Sequence, residues 1–150
     1  MKTILVLVVV VIVGSGIFGY REYSANKFKK EFNVSMYPRT DIEIAAIKPA
    51  IMRQLGASFR DINIYAGEIK FAQAQADSLP ANTSTEIQAR VAALQGIASM
   101  NASLQNMVDV YLHKVDVAYD ADVIGDWCEY DSCRIDVAQY RPELIGGPGL

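Results

Sequence analysis

The order of apolar and polar positions divides the chain into four stretches. Residues 3–20 carry no charge, and within them residues 4–13 are an unbroken apolar run. At 1.5 Å per residue, a helix of those eighteen residues covers about 27 Å, close to the roughly 30 Å of bilayer hydrocarbon. Residues 1–20 therefore read as a transmembrane signal-anchor that meets the lipid bilayer through 3–20. Residues 21–40 are charged, include Tyr23 and Phe28, and are interrupted by Asn33, Ser35 and Pro38. They are expected to form a juxtamembrane linker whose first turns extend the membrane helix.

From Asp41 a three-four rhythm begins. Ile47, Ile51, Leu55, Phe59, Ile62, Ala66, Ile69, Ala72, Ala76 and Leu79 fall on one face of a helix running from about Asp41 to Ser78. Pro49 lies in its early turns, so either the first turn begins near Lys48 or the helix is kinked, and Gly56 and Gly67 weaken a continuous rod. Leu79, Pro80, Ala81 and Asn82 form a turn. Thr83 and Glu86 then have the spacing of a capping box, in which each side chain satisfies the other residue's free amide. Ile87, Val91, Leu94, Ile97, Leu104, Val108, Tyr111 and Val115 carry the rhythm to about Val117, with Asn101 expected on that stripe as a hydrogen-bonded buried amide or an edge residue.

Two long helices joined by a short turn give an antiparallel hairpin over 41–118. Such a hairpin leaves a second face of each helix uncovered, which other segments or other copies must finish. The predicted fold class is all-α: one N-terminal transmembrane helix, the hairpin or bundle, and a short, irregular, disulfide-stapled segment over 119–150.

Charge sharpens this picture. Residues 1–31 hold five basic and two acidic side chains, 32–108 hold six of each, and 109–150 hold three basic and nine acidic. The distal body is acidic, which excludes nucleic acid as a partner, because that needs a basic face on the folded part. Clustered carboxylates suit a hard cation, but the spacing does not match an EF-hand loop. The acidic stretch is expected to be a solvated face, with Asp120, Asp122 and Asp126 as candidates for a weak cation site. Cys128 and Cys133 enclose four residues and, in an exported body, are expected to pair as a disulfide. The single histidine, His113, falls on a helix and is expected at its surface. No nucleophile motif, zinc-protease helix, P-loop or dinucleotide fingerprint occurs, so neither catalysis nor a cofactor is expected.

A cleaved signal peptide is the competing reading of the N-terminus, with Lys2 as its n-region and Gly14 and Gly16 preceding a cut before Ile17. Either reading exports the body, and the expected location is single-pass in a membrane with an extracytoplasmic body. The count of basic residues flanking the span, four after it and Lys2 before it, points the other way.

Several short motifs align with a known family. Tyr23, Asn26, Lys27 and Phe28 follow the apolar span. Asp41 precedes Ile47, Pro49 and Ile51, and Tyr140 and Pro142 precede Leu144 and Ile145. In this order the chain resembles the LemA family of membrane-anchored bacterial proteins. That resemblance implies a helical bundle on one membrane anchor, but the acidic, cysteine-bearing residues after Lys114 depart from the family's long last helix. The expected function is that of a non-catalytic, membrane-anchored scaffold or assembly protein that binds another protein or its own copies. A soluble secreted factor and a spanin-type envelope accessory are the alternatives.

Overall fold

Two threonines set the frame of the helices. The computed structural model describes residues 22–125 and 127–140, apart from the side chains of Trp127 and Cys128. Thr40 and Thr83 both stand in extended backbone just before a helix. The hydroxyl of each accepts from the amide three residues on, of Glu43 and Glu86, at 3.3 Å. The two carboxylates complete the boxes: Glu43 Oε2 accepts from the Arg39 and Thr40 amides, and Glu86 Oε2 accepts from those of Asn82 and Thr83. These bonds satisfy amides that a helix start leaves open. They also hold both carboxyls below their ordinary range, chiefly through the Arg39 amide for Glu43 and the Asn82 amide for Glu86. The box at Thr83 is the one expected from the sequence, and the one at Thr40 has the same spacing.

All regular structure among the described residues is helical. The helical residues 22–32 are α1, followed by α2 (Asp41–Ser78), α3 (Ser84–Asp120) and α4 (Trp127–Ala138). The observed α2 has the bounds its rhythm predicts. It runs through Pro49 without a break, so a start near Lys48 is overturned. At 38 and 37 residues, α2 and α3 are each about 55 Å long.

They pair as an antiparallel hairpin. Ile51, Leu55, Ile62, Ala66, Ile69 and Ala76 of α2 are buried with Ile97, Leu104, Val108, Tyr111 and Val115 of α3. Both α1 and α3 end on a non-glycine residue in the left-handed region. Asn33 has φ 51° and Asp122 has φ 56°. After each of these, an amide reaches back to close the last turn: Val34 N–H to the Lys29 carbonyl at 3.1 Å, and Val123 N–H to the Ala118 carbonyl at 3.0 Å. Val123 and Ile124 then drop into the core and turn the chain into α4.

The two shorter helices lie on opposite flanks of the hairpin. On one flank, Gln54 Nε2 donates to the Phe32 carbonyl at the end of α1, at 3.1 Å. On the other, Lys48 meets Glu129 of α4, and the Tyr140 hydroxyl donates to Asn63 Oδ1. Gln54 and Asn63 are nine residues apart, about half a turn out of phase on one helix.

Two expectations change here. The 21–40 stretch is no mere linker, since Phe28 and Phe32 are 0% and 1% exposed and their rings lie 5.1 Å apart within the core. The described part of the segment after 119 is not irregular throughout either: it contains α4, of which Tyr130, Cys133 and Val137 turn one stripe inward. Replacing Phe28 with alanine is expected to cost about 3–5 kcal/mol and to lower Tm by about 10 °C or more in thermal circular dichroism. A linker side chain would leave Tm nearly unchanged.

Candidate interaction site

Among the described residues, those singled out by chemistry do not converge on one site. Asp120 is the last residue of α3, and its side chain is exposed. Asp122 is also exposed, and its left-handed backbone serves the turn after α3. Asp126 lies outside the described residues. Among the described residues, no three His, Cys, Asp or Glu side chains group to hold a metal ion. Residues 3–20, expected to span a membrane, also lie outside them, and no described helix is long and apolar enough to cross a membrane.

The expected disulfide is corrected by the helix that contains both cysteines. Positions five apart in an α-helix have Cα atoms about 8.7 Å apart on different faces, beyond what an S–S bond spans. Cys133 carries a free, buried thiol beside the Tyr111 hydroxyl. Burial pushes the Cys133 thiol up and, more strongly, the Tyr111 phenol. Such a thiol is poorly nucleophilic. His113 lies at the helix surface as expected, its Nε2 3.9 Å from Glu31 Oε2 of α1.

Two of the acidic residues, Asp116 and Glu129, act instead as a latch for α4. The Tyr130 hydroxyl donates to Asp116 Oδ1 at 2.7 Å, and Arg134 donates to the Tyr130 oxygen at 2.6 Å while lying 3.7 Å from Asp116. The Tyr119 ring packs 4.5 Å from that of Tyr130. Glu129 accepts from Lys48 Nζ at 2.7 Å and from the Gly125 amide at 3.2 Å. Lys48, more than the amide, holds the Glu129 carboxyl low. A hollow of about 240 Å³ between α1 and the end of α3, bordered by Tyr23, Lys27, Tyr37 and Asp120, is smaller than a typical ligand pocket.

What the fold leaves open is apolar surface. Tyr140 reaches α2 at Asn63, and the hairpin beyond, residues 64–98, is a two-helix arm. Ile64 and Phe71 of α2 are 56% and 66% exposed, and Ile87, Val91 and Leu94 of α3 are 48%, 48% and 40% exposed. The single α3 stripe read from the sequence is therefore two stripes. Ile97, Leu104 and Val108 face α2, while Ile87, Val91, Leu94 and exposed Ala98 follow a 4-3-4 spacing beside them. Asn101 continues this second stripe and is exposed, not buried.

The second stripe follows the track of α4. Asp116, where Tyr130 docks, is eighteen residues or five turns from Ala98, and so on the same face of α3. On α2, Lys70 and Ala74 similarly continue the line of Asn63. The groove that α4 fills at the base thus runs on, uncovered by any described residue, along the arm.

Comparison of the chain with protein-family models, curated proteins and solved structures gives no match.

Two outcomes follow for the latch and the thiols. A depressed Glu129 carboxyl stabilises the fold above the unfolded-state carboxyl pKa, and that contribution is lost as pH falls through the lower folded value. With both partners more than a third exposed, Glu129→Gln is expected to cost no more than about 0.5 kcal/mol at pH 7 and to flatten the acid limb of stability against pH. Titration with a thiol reagent in denaturant, without reductant, is expected to count two thiols, with Cys133 unreactive until the protein unfolds.

Proposed function

We propose that the chain is a membrane-anchored assembly protein, held in a bilayer by residues 3–20 and acting through protein contacts of its helical arm and not through catalysis. The observation that carries this reading is the exposed apolar surface of the arm, where Ile64, Phe71, Ile87, Val91 and Leu94 stand without cover from the described residues. Ile87, Val91 and Leu94 form one row on α3, and an exposed apolar row on a folded body marks an interaction site. The acidic distal body, of which Asp116 and Glu129 hold α4, presents no basic face for nucleic acid.

With no disulfide across α4, the proposal that the body lies outside the cytoplasm rests on the signal-like pattern of Lys2 followed by the apolar run 4–13, against the four basic residues that follow the span. The resemblance to LemA proteins supports the same architecture of one anchor and a helical body, and remains a proposal on the short motifs around Tyr23, Pro49 and Pro142.

Alkaline carbonate extraction of native membranes tests the anchor: the chain is expected in the pellet with Met1 retained, and a soluble chain beginning at Ile17 would replace this reading by the secreted one. Protease added to intact cells or spheroplasts reads the side of the body. Chemical cross-linking in the same membranes is expected to give adducts that the double substitution V91E/L94E removes. Adducts unchanged by that substitution would take the arm out of the function.

A further inference from the structure

We infer that the hollow between α1 and the end of α3 holds the headgroup of a zwitterionic phospholipid, with the phosphate on Lys27 and a primary ammonium on Asp120. The inference rests on the reading of residues 3–20 as a membrane anchor and names the lipid that the body takes up beside it.

Register places the hollow at the end of the body where the anchor enters. Glu31, near the close of α1, lies 3.9 Å from His113 of α3. Tyr23 is about 12 Å back along α1 from Glu31, and Asp120 is about 10 Å on along α3 from His113. The start of one helix and the end of the other therefore meet at one level, and both border the hollow. The turn at the tip of the arm is about 55 Å away, at the far end of α3. From residue 20, the expected end of the span, to Tyr23 the chain reaches at most about 11 Å. The headgroup layer outside the hydrocarbon is about 5–7 Å deep. The mouth of the hollow thus lies at that layer or within a side chain's length of it, and exposed Tyr23 at its rim is of a type that membrane–water interfaces favour.

The hollow sets two opposite charges apart. Half-buried Lys27 and exposed Asp120 border the same space. Among the described residues, neither forms an ion pair with the other or elsewhere. A bare anion drawn to Lys27 meets the Asp120 carboxylate, and a bare cation drawn to Asp120 meets the Lys27 ammonium, so a ligand carrying both charges satisfies both walls. Lysine binds phosphate as a point charge, and a carboxylate accepts hydrogen bonds from a primary ammonium. A quaternary ammonium offers no N–H and is held instead by an aromatic cage. Here the ring of Tyr37 packs T-shaped on Phe28 with centroids 5.5 Å apart, which leaves Tyr23 as the other ring at the hollow. Buried Val117 and Ala121 give an apolar floor for the carbon arm between the two charges. At about 240 Å³ the space equals roughly eight waters, enough for a phosphate with a short amine arm.

The test titrates the full chain, purified in a mild non-ionic detergent, and reads Tm by thermal circular dichroism. Three probes are used: dihexanoyl phosphatidylethanolamine, dihexanoyl phosphatidylglycerol, which lacks the ammonium, and glycerophosphoethanolamine, which lacks the acyl chains. The first is expected to raise Tm by about 3–6 °C at ten times its Kd, and the second to leave Tm unchanged. The third is expected to bind at least about tenfold more weakly, because no chains hold it in the micelle beside the hollow. Lys27→Gln is expected to weaken the first probe at least about tenfold, and Asp120→Asn to remove the preference for ethanolamine over glycerol. Without lipid both variants are expected to melt within about 2 °C of wild type, since neither side chain has an ion-pair partner to lose. Equal shifts from the two lipids in wild type, or a wild-type response in K27Q, overturn the inference. Glycerophosphoethanolamine bound as tightly as the lipid overturns the bilayer as its source. No shift from any probe, with the chain in the carbonate pellet, overturns the headgroup site and leaves the anchored reading standing. A chain released by carbonate that still binds glycerophosphoethanolamine overturns the anchor, and with it the lipid.

Discussion

A pair of antiparallel helices can cover only one face of each, and everything else in this molecule answers to that constraint. The contact between α2 and α3 buries Ile51, Leu55, Ile62, Val108, Tyr111 and Val115 in a single seam. The seam is the most extensive contact among α2, α3 and α4, but it leaves the flanks of both helices apolar. At the base, α1 closes one flank with Phe28 and Phe32, and α4 closes the other with Cys133 and Val137. Each added helix needs only a narrow apolar stripe, because the hairpin already provides the opposite wall of the groove.

The covering helices are short and the hairpin is long, and from that mismatch the arm arises. α4 has 12 residues against 37 in α3, so it spans about 18 Å of a groove about 55 Å long. Where α4 and Tyr140 stop, Ile87, Val91 and Leu94 come into solvent without any change in their spacing. The chemistry that looked most distinctive in the sequence belongs to the covered end. Asp116 and Glu129 anchor α4, the first through Tyr130 and Arg134 and the second through Lys48, and the left-handed Asp122 makes the turn that aims it. Acidity at these positions is local architecture, and the surface that the arm leaves for binding is neutral and aliphatic.

The helical hairpin was legible because its signals are local and repeated. Ten apolar positions at helical spacing gave α2 its bounds, and the Thr83–Glu86 pair gave α3 its start. α1 and α4 were not legible for a related reason. In α1 the buried side chains Ala25, Phe28 and Phe32 sit among lysines whose charges read as a membrane flank. In α4 the inward stripe is made of a tyrosine, a cysteine and a valine, and the cysteine spacing read as a staple across a loop. Stripes of two or three residues gain meaning only once a groove exists to receive them.

The sequence by itself determined that the body is helical, that two long helices fold back at Pro80, and that apolar surface would be left over. Those outcomes follow from periodicity and capping, which act over one or two turns. Only the tertiary structure decided where the surplus surface lies. Ile97 and Leu94 are three residues apart and equally apolar, yet one is 6% exposed and the other 40%. The difference is about 60° of rotation about α3 and the distance to the end of α4, neither of which is encoded in the local pattern.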